Sequence, residues 1–183
     1  MINSGELQYQ NAPRGEVRGV ELEARKNLAF LSDRLKGFSG GVNYTWVEPF
    51  AEIAAAELAF IRFYAPQAAA TRELTGQSPY IFNFDLTYHN YRRGTTVSAY
   101  YNVFGRRLSQ VSPPGTPNVI EQPAPTLDVV WNQRFRDHWK VTLSAKNLLD
   151  PAVEETYTYR ERDYIRSSHR RGITTALGIT YTY

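Results

Sequence analysis

The stretch Arg170 to Tyr183 reads R-R-G-I-T-T-A-L-G-I-T-Y-T-Y. From Ile173 every second residue (Ile173, Thr175, Leu177, Ile179, Tyr181, Tyr183) falls on one face of an extended strand. Thr174, Ala176, Gly178, Thr180 and Thr182 fall on the other. Side chains alternate across a strand, so one face is bulky and apolar while its reverse is small and weakly polar. A soluble sheet ordinarily carries Lys and Glu on its wet face. Small hydroxyl residues behind an apolar face that ends in aromatics suit a strand between lipid and a wide lumen.

Working outward, the same alternation recurs at Gly19–Leu28, Phe38–Trp46, Tyr80–Tyr88, Thr95–Phe104, Thr126–Phe135 and Trp139–Leu149, giving seven strands in all. On their bulky faces stand Tyr44, Trp46, Tyr80, Phe82, Phe84, Tyr88, Tyr101, Trp131 and Trp139, which are expected to meet lipid. The connections alternate in length: short at 32–37, 89–94 and 136–138, long at 48–79, 105–125 and 150–169. Within the first long connection, Ala51–Tyr64 is Ala- and Glu-rich and compatible with a short helix. The second carries five prolines, which rule out a central strand there, and the third reads as a polar loop. Alternating lengths put every long connection at one end, as in outer-membrane barrels with short periplasmic turns and long extracellular loops.

Composition agrees. The 183 residues suit one domain and are 42% hydrophobic, yet they hold no apolar run of about 18 residues, so no transmembrane helix is encoded. Aromatics make up 14%, with 13 Tyr, as interfacial girdles require. Zero Cys excludes disulfides and thiolate metal sites. A net charge of +3, spread along the chain, does not argue for nucleic acid. The pairs Arg92-Arg93, Arg106-Arg107 and Arg170-Arg171 read instead as polar rims. Arg106, Arg107, Arg170 and Arg171 are candidates for lipopolysaccharide phosphates, because Arg forks suit phosphate.

No catalytic, cofactor or metal residue is expected. His89, His138 and His169 read as turn or loop residues without metal-ligand spacing, and no nucleophile elbow is present. Glu21 and Glu23 read as lumen carboxylates beside Arg25. Tyr157, Tyr159 and Tyr164 among Arg160, Arg162 and Arg166 are candidate ligand-loop residues for an anionic or sugar ligand. Met1 is followed by no basic or apolar leader, so an exported protein would have its beginning elsewhere. Seven strands leave open edges that hydrocarbon does not tolerate, and their small inward faces would not fill a narrow lumen. The expected fold is all-β: an antiparallel transmembrane β-barrel segment, with residues 1–183 the C-terminal part of a larger barrel domain.

Several pieces carry a resemblance: R-G-V-E-L-E-A (18–24), L-T-G-Q-S-P-Y (74–80), Y-N-V-F-G-R-R-L (101–108), P-T-L-D (125–128), S-A-K-N-L-L-D-P (144–151) and the terminal R-G-I-T…Y-T-Y. In this order and spacing the chain resembles the C-terminal segment of a TonB-dependent outer-membrane receptor. The resemblance implies the last seven of about 22 strands in a plugged barrel. It implies import of a scarce nutrient of the siderophore, cobalamin or oligosaccharide class. TonB would be engaged through the N-terminal TonB box and plug, which this sequence lacks. Gly178, Tyr181 and Tyr183 resemble the signal read by the barrel-assembly machinery. A passive porin-like barrel and a soluble lipocalin- or avidin-type barrel, with its apolar face turned inward, are the alternatives.

Overall fold

The structure, a computed structural model, describes residues 11–113, 115–136, 138–159 and 162–183. Seven strands form one antiparallel sheet in chain order: β1 (Gly15–Asn27), β2 (Phe38–Glu52), β4 (Tyr80–Asn90), β5 (Thr95–Phe104), β8 (Thr126–Phe135), β9 (Trp139–Lys146) and β12 (Thr174–Tyr181). They are the seven that the alternation marks out. β3 (Thr71–Arg72) attaches to the far end of β2. A second sheet, ordered β11-β10-β7-β6, is built from β6 (Arg107–Gln110), β7 (Val119–Glu121), β10 (Ala152–Tyr159) and β11 (Arg162–Arg170). The sheet of seven is open: β1 and β12 end its order and do not pair with each other.

Register turns the alternation into two continuous surfaces. One rung runs Phe38, Tyr88, Val97, Trp131, Leu143, Leu177 across six strands. The same face carries Trp46 beside Tyr80, and Tyr44 beside Phe82, and it aligns Val42, Phe84, Tyr101 and Leu127. Trp139 stands between Phe135 and Tyr181. All nine aromatics expected on one surface therefore share it. That surface is uncovered, with Leu177 67% and Ile179 63% exposed. The reverse surface is polar, with the rung Asn43, Asn83, Asn102, Thr126 as its clearest line.

Among the described residues the buried apolar side chains are Ala51, Leu108, Val119, Ala124 and Val153. All lie at the end where the long connections gather. Among the described residues no helix is long and apolar enough to cross a membrane. An α-helix, α1 (Ala55–Tyr64), falls inside the stretch expected to allow one, but Ala51 and Glu52 remain in β2, held by pairing with Arg72 and Thr71.

Two connections differ from expectation. The proline-rich one contains β6 and β7, and β7 is central in its sheet, paired to β6 on one side and β10 on the other. The prolines at 113, 114, 117, 123 and 125 flank a proline-free window that leaves every β7 N–H available. The polar connection after Asp150 is a hairpin, β10–β11, whose backbone pairing does not require apolar residues. His89 and His169 accordingly sit in β4 and β11 rather than in turns; only His138 occupies one.

Hydrogen bonds tie the short turns into one rim. His89 N–H donates to Gly37 O at 2.7 Å, Arg134 N–H to Gly94 O at 2.9 Å, and Thr182 N–H to His138 O at 2.9 Å. Gly94 has φ +64°, and a Cβ there would stand 3.0 Å from the Arg134 Cβ, so both conformation and space require glycine.

Candidate functional site at the long-connection end

The small sheet is knitted to itself by polar side chains. Arg107 Nε donates to Glu121 Oε2 at 2.7 Å while its guanidinium lies 4.4 Å from the Phe104 ring centroid. Ser109 Oγ donates to Glu155 at 2.6 Å, and Arg166 donates to Gln110 at 2.9 Å. A register shift between Glu155 and Thr156 brings Arg166 and Ser167 to the same carboxylate, at 3.4 and 3.2 Å. Arg170 donates to the backbone carbonyl of Asp150 and stands 3.8 Å from its carboxylate. Beside this sheet, Arg72 grips Glu57 of α1 with two bonds, the shorter 2.6 Å. Arg107 and Arg170, two of the four arginines expected to face phosphate, are thus committed to carboxylates of this chain.

The candidate ligand residues lie at the free end of the β10–β11 hairpin. Tyr157 opposes Tyr164 and Tyr159 opposes Arg162, so these four share one face. The rings of Tyr157 and Tyr164 stack at 5.9 Å with 20° between planes, and both remain partly exposed. Arg160 lies outside the described residues. Between the two sheets is a cavity of about 110 Å³, lined by Asn102, Phe104 and Thr126 from the polar surface and by Glu121, Val153 and Arg171 from the connections.

Down the polar surface runs an amide track. Asn102 Nδ2 donates to Asn83 at 2.5 Å, Asn83 to Asn43 at 3.4 Å, and Asn43 to Glu21 at 2.6 Å. Arg25 does not pair with Glu21 or Glu23. It reaches across Gly41 to Asp85 at 2.9 Å, and a Cβ on Gly41 would meet that carboxylate. Sequence reasoning missed the track, although three Asn on small-residue faces were its signal; only register aligns them. Among the described residues no group of His, Cys, Asp or Glu is placed to hold a metal.

Gly178 pairs with Thr142 midway along β12 and β9; at the opposite end, Tyr181 packs against Trp139 at 4.8 Å, and Tyr183 meets Tyr181 edge-on at 5.6 Å. An open cleft of about 350 Å³ there is lined by His89, Tyr91, Asn132, Arg134 and Lys140, with no carboxylate among the described residues.

Comparison with curated proteins and with solved structures gives no match. A family model does match, described as TonB dependent receptor-like, beta-barrel, over residues 2–148. The match takes in six of the seven wall strands, with all their short turns and two of their long connections. The two-faced open sheet is the part of such a barrel that the sequence builds, and the chain belongs to the TonB-dependent receptor β-barrel family, whose members are outer-membrane transporters.

Proposed function

We propose that the seven strands form one sector of a larger barrel, of about 22 strands as the family resemblance implies, that imports a scarce nutrient using energy delivered by TonB. The observation that carries this reading is the uncovered apolar surface running unbroken across all seven strands, opposite a polar one. A soluble ligand-binding barrel would bury that apolar surface. The edges of β1 and β12 take further strands, since open edges do not occur in hydrocarbon. The aromatics from Tyr44 to Trp139 on this surface meet lipid, and Gly178, Tyr181 and Tyr183 serve the assembly machinery. The face holding Tyr157, Tyr159, Arg162 and Tyr164 contacts the nutrient, a ferric siderophore, cobalamin or an oligosaccharide.

The absence of native Cys allows a direct test. Single cysteines at Leu22 and Leu143 are expected to report a lipid environment to an attached fluorophore, and those at Thr45 and Ser144 an aqueous one. The reverse pattern would return the molecule to the soluble class. For transport, uptake of the three nutrient classes is compared in cells with and without TonB. Uptake of one class that requires both TonB and the Tyr157/Tyr164 pair supports the reading; uptake indifferent to TonB makes the barrel a passive pore.

A further inference from the structure

The two rims of the sheet neutralise their charge in different ways. At the long-connection end Arg14, Arg72, Arg107, Arg166 and Arg170 each pair with a carboxylate of this chain. Within the short-turn segments 26–37, 89–94 and 134–140, among the described residues, no ion pair forms, and the neighbouring Arg25 reaches back into the sheet to Asp85. Residues 26–37 carry Lys26, Arg34 and Lys36; residues 89–94 carry Arg92 and Arg93; residues 134–140 carry Arg134, Arg136 and Lys140. These are eight of the chain's 21 Lys and Arg, against only Asp33 and Asp137 of its 18 Asp and Glu. Excess cation in a chain of net +3 is therefore concentrated on one rim.

Three further features say what that rim faces. The turn cations Arg34, Lys36, Arg92, Arg93 and Arg136 are exposed. Exposed apolar side chains lie among them: Phe30 and Leu31 in the first turn, Phe135 and Trp139 around the third. Lys26 stands 5.3 Å from the Phe30 ring centroid, an ammonium held at the edge of the apolar surface. The three turns are also joined through Gly37–His89 and Gly94–Arg134, so their charges move as one band. Cations interleaved with aromatics, at the border of a lipid-facing surface, match the chemistry of an anionic headgroup layer.

From this we infer that the short-turn rim is a binding band for anionic phospholipid headgroups of the adjoining leaflet. Phosphates supply the counter-charge that this end of the chain lacks, and the apolar side chains enter the acyl boundary beside them. The rim then fixes the depth of the sheet in the membrane from the short-turn side, where no long connection is present to do so. The inference rests on the membrane-spanning reading above.

The test is lipid selectivity by spin-label resonance. The protein is reconstituted in phosphatidylcholine, and its association with spin-labelled phosphatidylglycerol is compared with that of spin-labelled phosphatidylcholine. A severalfold preference for phosphatidylglycerol at 0.1 M NaCl is expected. It should collapse towards unity at 1 M NaCl, as the screening length falls from about 10 to about 3 Å. Arg34→Gln/Lys36→Gln/Arg92→Gln/Arg93→Gln should lose at least half the preference, and Arg92→Gln/Arg93→Gln alone should lose a smaller part of it. Arg14→Gln/Arg72→Gln, at the other end where each arginine is paired with a carboxylate of this chain, should keep it. Equal association of both lipids with the unaltered protein overturns the inference, and so does a loss in the control at the other end equal to that in the fourfold short-turn variant. Suppression by millimolar inorganic phosphate at constant ionic strength also overturns it, in favour of a simple ion site. If instead the spanning reading is wrong, cysteines at Leu22 and Leu143 report water, a result that equal lipid association does not produce.

Discussion

Leu143→Arg, measured beside Ser144→Arg, separates a lipid-facing surface from a wet one with a single pair of neighbours. Leu143 is the fifth of the eight residues of β9, between Trp131 and Leu177. At an ordinary rise of about 3.4 Å and a tilt of about 40°, the strand spans roughly 18 Å of the barrel axis, so Leu143 stands within a few ångström of the middle. Arg on the lipid face near the midplane costs about 2–4 kcal/mol, which is roughly a 30- to 1,000-fold loss in the folding equilibrium. In water the expectation differs sharply. Leu143 is already 47% exposed, and a surface substitution there would change stability by about 0.5 kcal/mol or less. Ser144 points to the polar surface between Val130 and Ala176, where Arg reaches water whichever solvent lies outside. Unfolding by urea in phosphatidylcholine vesicles, followed by Trp fluorescence, gives both numbers. A Leu143→Arg cost no greater than that of Ser144→Arg would refute the assignment of the two surfaces.

Other substitutions read other links. Gly41→Ala should cost about 0.5–1 kcal/mol by displacing Asp85 from Arg25, and in an Asp85→Ala background the same change should cost nearly nothing; additive costs in urea unfolding would place the effect elsewhere. Gly94→Ala should be worse, about 1–3 kcal/mol, since positive φ and crowding by Arg134 act together. Glu57→Gln should leave the wall intact but raise amide exchange across Ala55–Tyr64, because the two-bond grip of Arg72 is what the helix has instead of a side-chain N-cap. Unchanged exchange would mean that the helix holds itself. Tyr181→Ala should lower the amount of protein assembled in the outer membrane more than Tyr164→Ala does, as quantified by heat-shifted mobility in membrane fractions.

The candidate site was less legible than the wall. Tyr157, Tyr159, Arg162 and Tyr164 were visible as an aromatic and basic cluster, but their sharing of one face depends on the β10–β11 register. That register includes a shift at Glu155, which no local pattern announces. Arg107 and Arg170 looked available from sequence because their carboxylates, Glu121 and Asp150, lie 14 and 20 residues away. Pairing over such distances is decided by which strands become neighbours.

What the sequence by itself determined is the wall. Each of its seven strands carries a two-residue alternation over its middle, and lipid on one side with water on the other punishes any slip of one residue, so the pattern is written locally in every strand. The short turns and the order of neighbours follow, since consecutive antiparallel strands with short links pair in sequence. What only the tertiary structure decided is the cap of β6, β7, β10 and β11, the amide track and the contrast between the rims. These depend on partners brought together across the sheet: Val119 beside Tyr157, Asn43 beside Asn83 beside Asn102, Arg25 over Gly41 to Asp85. Polar side chains satisfy one another in many arrangements, so their pairing follows from the backbone register that the apolar alternation has already set.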